Sequence, residues 1–141
     1  MAGKLLSTSR MIAATPQRIF AAFSDPKQLA QWWGPRGFKN TFEVFEFKPG
    51  GRWHFVMHGP DGRDYRNECV FRELDPSAKV VIEHVVKPIF TLTITLAARA
   101  DETLLTWEQD FDSPETAAAL RAVCVPANEQ NLDRLEGLIA S

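Results

Sequence analysis

The sequence predicts an α+β fold: a seven-stranded antiparallel sheet covered on one side by a long C-terminal helix, with two short helices after the first strand. Between Thr41 and Phe111 the chain falls into short runs rich in Val, Ile, Phe, Thr and Trp, separated by turn-forming Pro, Gly and Asp. Thr15-Pro16, Asp25-Pro26 and Ser113-Pro114 each place a capping side chain directly before a proline, the pattern of a helix start. Near the end, Leu132, Leu135, Leu138 and Ile139 make an apolar stripe at helical spacing, with Asp133, Arg134 and Glu136 outside it.

Each element follows in turn. Alternation from Lys4 to Ala14 predicts the first strand. Thr15-Pro16 opens a helix with Ile19, Phe20 and Phe23 on one face; Ser24-Asp25-Pro26 stops it and caps a second piece carrying Leu29, Trp32 and Trp33. Gly34-Pro35 ends that piece, because Gly accepts the left-handed conformation and Pro cannot continue a helix. Six strands are then expected at 41–48, 52–59, 63–74, 79–86, 89–99 and 103–111. The last helix starts at Ser113-Pro114-Glu115 and is expected to break or kink at Pro126, whose ring and missing N–H oppose a continuous helix. Asn128 is the expected cap of the restart, and Gln130 or Asn131 is expected to reach a cavity or a turn.

Length and charge narrow the function classes. A chain of 141 residues is expected to form a single domain over 1–141, and 45% apolar with 24% charged residues excludes a disordered or fibrous chain. Sixteen Lys and Arg against eighteen Asp and Glu leave a net charge of −2 with no basic cluster, so nucleic acid is not an expected partner. No apolar run approaches the ~20 residues of a membrane span or forms a signal peptide, and a cytoplasmic protein, monomeric or homodimeric, is expected. Cys69 and Cys124 form no CxxC and read as reduced thiols.

Strand parity nominates the inner face. Charged residues on one parity push outward and leave Trp53, Phe55 and Met57 inside in the second of the six strands. The same reading turns Tyr65, Asn67, Cys69 and Phe71 inward in the third, Val80, Ile82 and His84 in the fourth, and Leu105, Trp107, Gln109 and Phe111 in the last. That face is mainly aromatic, with Tyr65, Asn67, His84 and Gln109 as polar intruders. A buried polar group without a partner costs roughly 1–3 kcal/mol, so these four either bond to each other and to water or meet a ligand.

The stretches RIFAAFSDPKQLAQWWGP, FKPGGRWHFVMHGPDGRDY, FRELDPSAKVVIEHV and ANEQNLDRLEGLIA resemble the domain shared with activators of the ninety-kilodalton heat-shock protein's ATPase. That domain lies within the START-like, polyketide-cyclase-like and Bet v-like (SRPBCC) superfamily. The resemblance implies a helix-grip fold, in which the sheet grips the C-terminal helix and encloses a cavity for apolar or amphipathic molecules. It also implies three functional readings. The first is binding of a small, mainly apolar ligand, with walls from Trp53, Phe55, Met57, Phe71 and Trp107 and polar contacts from Tyr65, Asn67, His84 and Gln109. The second is a cyclase- or hydrolase-like enzyme with His84 as general base. The third is a co-chaperone-like module that meets a chaperone through the sheet's outer face.

The sharper chemical motifs are missing from the residues. His54 and His58 are four apart, which on a strand separates them by roughly 13 Å, so no metal site is expected. Gly50-Gly51 precedes a strand, whereas a phosphate cradle opens a helix; no cofactor is expected.

Overall fold

The computed structural model describes residues 3–140. The elements, in chain order, are β1 (Leu5–Ile12), α1 (Pro16–Ser24), α2 (Pro26–Trp32), β2 (Lys39–Phe45), β3 (Arg52–His58), β4 (Asp64–Asp75), β5 (Lys79–His84), β6 (Phe90–Arg99), β7 (Glu102–Phe111) and α3 (Pro114–Ala140). This is the expected order, with strand ends displaced by a few residues, as propensity-based boundaries usually are.

The seven strands form one sheet in the order β1-β7-β6-β5-β4-β3-β2, and every neighbouring pair is antiparallel. Since β1 lies at one edge and β2 at the other, α1 and α2 carry the chain across from edge to edge. Register shifts between Phe42 and Val44 and between Phe71 and Glu73 add local twist, which helps the sheet curve around α3.

The helix starts are capped as expected. Thr15 Oγ1 accepts from the Arg18 N–H at 3.2 Å, Asp25 Oδ1 from the Lys27 N–H at 3.0 Å, and Ser113 Oγ from the Thr116 N–H at 3.1 Å. Asp25 Oδ2 also accepts from Gln28 Nε2 at 3.0 Å, and this bond first, then that from the Lys27 N–H, holds the Asp25 carboxyl below its ordinary pKa.

Of the expected break or kink at Pro126, the break does not occur: α3 runs continuously through Pro126. Pro126 and Ala122, whose carbonyl loses its helical partner there, are both exposed, so water can satisfy that oxygen. Asn128 therefore caps nothing and turns inward instead.

Two features fix α3 on the sheet. Arg10 of β1 meets Glu129, Asp133 and Glu136 at 2.8, 2.7 and 2.7 Å. Arg134 donates to the carbonyls of Gln31, Trp33, Gly34, Pro35 and Phe38 at 2.7–3.0 Å, tying the link between α2 and β2 to the helix. Asn131 adds a bond from Nδ2 to the Trp32 carbonyl at 2.8 Å, and Gln130 Oε1 accepts from the Arg36 N–H at 3.1 Å. Gly34 is required in that link: its φ is +94°, and an added Cβ would lie 2.6 Å from the Met57 methyl.

The apolar core lies between the inner face of the sheet and the helices. Trp32, Trp53 and Trp107 are almost wholly buried within it, as are Phe23, Phe55, Phe71 and Phe111. Trp32 also donates from Nε1 to the Ala22 carbonyl at 3.0 Å, locking α2 against α1. Leu132 and Leu135 of the predicted stripe are fully buried, with Leu138 and Ile139 packed against the same cluster. Among the described residues, no helix is long and apolar enough to cross a membrane.

Candidate functional site

Between the middle of α3 and strands β3 to β7 the core opens into a cavity of about 450 Å³. The sheet reaches it through the parity read from the sequence: Phe55 and Met57 from β3, Asn67 and Cys69 from β4, Ile82 and His84 from β5. The helix turns Leu120, Val123, Cys124, Ala127, Asn128 and Asn131 toward it, several of them short side chains. These recur at intervals of three and four, one helical face, and that spacing is the sequence signal that would have found them. Trp33 and Gly34 also line it, while Tyr65, Pro88 and Val123 are the exposed members of the lining and mark the rim. No Asp, Glu, Lys or Arg lines the cavity.

Of the nine residues nominated from parity, Phe55, Met57, Tyr65, Asn67, His84, Trp107 and Gln109 border this space. Trp53 and Phe71 do not. They share the inner face but stack on each other, at 5.8 Å and 7° between planes, inside an aromatic block with Phe42, Phe45 and Phe47. Parity assigns a face; it does not say which helix covers a given stretch of that face. Tyr65 also differs from expectation, because it is 43% exposed and its ring leans on Phe38 at 5.9 Å.

The polar groups gather at two poles. At the first, the His84 ring stacks on Phe90 at 4.8 Å between centroids. Nδ1 lies 2.7 Å from the Pro88 carbonyl and Nε2 lies 2.8 Å from Asn67 Oδ1, while Asn67 Nδ2 donates to the Tyr65 carbonyl at 3.0 Å. At the second pole, Asn128 Nδ2 donates to Gln109 Oε1 at 3.1 Å. His84 and Gln109 stand on β5 and β7, two strand spacings across and two residues along, roughly 12 Å apart, with Ile82, Leu92 and Trp107 among the apolar lining. The buried indole N–H groups of Trp53 and Trp107 have no partner.

This geometry bears on acid–base chemistry. A carbonyl or amide oxygen only accepts, so both ring nitrogens of His84 face acceptors and neither offers a free lone pair to a substrate proton. Burial pushes the Cys69 thiol up to about 12. Cys124 is raised for the same reason, partly offset by a hydrogen bond from Gln109. Neither thiol is set up as a nucleophile. His58 spends Nδ1 on Asp64 and Nε2 on the Thr41 hydroxyl, each at 2.7 Å, on the outer face away from His84. Among the described residues, no three His, Cys, Asp or Glu side chains converge as metal ligands.

A helix gripped by a curved antiparallel sheet is an architecture shared by many solved proteins. A protein from Arthrobacter aurescens superposes with a TM-score of 0.90 at 23% identity, covering 98% of this chain and 87% of that one. One from Rhodobacter sphaeroides gives 0.86 at 27% identity, covering 99% and 93%. The AHSA1-like protein from Aeromonas hydrophila gives 0.75 at 17% identity, covering 96% and 92%. No functionally curated protein matches the sequence. The family model described as "Activator of Hsp90 ATPase homolog 1-like protein" matches residues 13–140, which takes in both short helices, β2 to β7 and nearly all of α3. With the fold and the sequence in agreement, the chain belongs to the Activator of Hsp90 ATPase homolog 1-like family, within the SRPBCC superfamily of helix-grip proteins.

Proposed function

We propose that the protein binds a small, mainly apolar molecule between the sheet and α3. Phe55, Met57 and Trp107 supply apolar wall, and Tyr65, Asn67, His84 and Gln109 meet the polar parts of the guest. The observation that carries this reading is the cavity itself: about 450 Å³, bordered by aromatic and aliphatic side chains and free of formal charge on Asp, Glu, Lys or Arg. That volume lies within the roughly 300–1,000 Å³ typical of small-molecule sites. The occupation of both His84 nitrogens supports holding a guest over proton transfer to one. A chaperone partner has only the family description in its favour.

The test is thermal unfolding against a panel of apolar compounds of graded size. A compound at about a hundred times its Kd should stabilise the protein by about 2.7 kcal/mol, roughly 5–10 °C in a chain of this size. A panel of wide chemical range with no shift, together with no small molecule released on denaturing protein purified from cells, would overturn the reading.

A further inference from the structure

The His84 pole specifies the chemistry of the guest's head, and this inference rests on the cavity-binding reading above. Asn67 cannot turn its amide over without setting Oδ1 against the Tyr65 carbonyl, so Oδ1 stays aimed at Nε2. Pro88 presents a second acceptor to Nδ1. Neutral imidazole has one N–H, and only the doubly protonated ring satisfies both acceptors. The pole is therefore shaped for an imidazolium, yet His84 is only 6% exposed and no carboxylate borders its cavity. A buried cation without a counter-charge is costly, and a guest that brings one removes that cost.

We infer that the cavity takes an amphiphile with an anionic head, which lies against the remaining N–H of Asn67 with the His84 ring behind it. The position of this pole fits an amphiphile, because Tyr65 and Pro88, which bond to Asn67 and His84 through their carbonyls, belong to the rim. The head then stays near solvent while the tail extends over Ile82, Leu92 and Trp107.

The other groups around His84 do not supply the missing charge. Cys69 of β4 and Cys124 of α3 are thiols held neutral by burial, Phe90 of β6 covers a ring face, and Tyr65 of β4 is a phenol at the rim. Glu83, next in the chain, points to the other side of the sheet and pairs with Arg72 at 2.6 Å. Glu68 points the same way and faces His54. Lys87, beside Pro88, is exposed and adds positive charge.

The decisive probes are 1-decanesulfonate, an anion at every working pH, and the neutral 1-decanol, followed by fluorescence of the lining Trp33 and Trp107 or by calorimetry. Decanesulfonate should bind about tenfold tighter than decanol. His84→Gln should remove the preference for the sulfonate over decanol. Asn67→Asp, which gives the ring a resident counter-charge, should reverse the preference so that decanol binds tighter than the sulfonate; it decides the matter if His84→Gln does not fold. Sulfonate affinity no tighter than that of decanol in the unmodified protein overturns the anionic head while decanol binding preserves the cavity reading. Failure of both probes to bind overturns both.

Discussion

Beneath α1 and α2 the inner face of the sheet is filled by rings, whereas beneath the middle of α3 the same face borders open space. In the first region Trp53 stacks on Phe55 at 4.2 Å and on Phe71 at 5.8 Å, and Phe20 reaches from α1 to Phe47 at 5.6 Å. In the second, the helix faces the sheet with Ala127, Cys124 and Asn128, side chains smaller than the rings of the first region. The strands contribute large apolar residues to both. The difference lies in what the covering helix brings, so the hollow is a property of α3.

Substitutions should separate the two regions by size and sign. The largest effect is expected for Trp53→Ala, which removes a fully buried ring from the filled region; about 3–5 kcal/mol should be lost in denaturant unfolding. A loss under about 1 kcal/mol would mean that this block is as loose as the cavity.

Enlarging an alanine should act oppositely in the two places. Ala22 of α1 is wholly buried, and Ala22→Leu should destabilise by about 1–3 kcal/mol through overpacking. Ala127→Leu projects into the cavity and should stabilise by about 0.5–1 kcal/mol while abolishing the thermal shift given by ligands. Equal destabilisation by both would erase the distinction.

The smallest effect concerns the thiols. With its pKa pushed up to about 12, Cys69 stays protonated through the range where a free cysteine ionises, near pH 8.5. In the folded protein an alkylating reagent at pH 9 should label the half-buried Cys124 first and Cys69 only on unfolding, as peptide mass spectrometry would read. Prompt labelling of Cys69 would open the cavity floor to solvent.

The strands and the helix starts were legible because their signals are local. Ser113 before Pro114 caps whatever follows it, and a charged residue in a strand nominates its neighbours as interior. Even the polar intruders Asn67, His84 and Gln109 were found that way. Three things were not local. The sorting of Trp53 from Phe55 depends on which helix lies above each. Pro126 passes without breaking α3 because Ala122 happens to face water. The inward turn of Asn128 depends on Gln109, a residue of β7, standing opposite it.

The grip of Arg134 on five carbonyls between Gln31 and Phe38 makes that side of the mouth a fixed jamb that swings only if the whole C-terminal rod swings with it. A guest bound as proposed would then pass the exposed lining at Pro88 and Val123 on the other side.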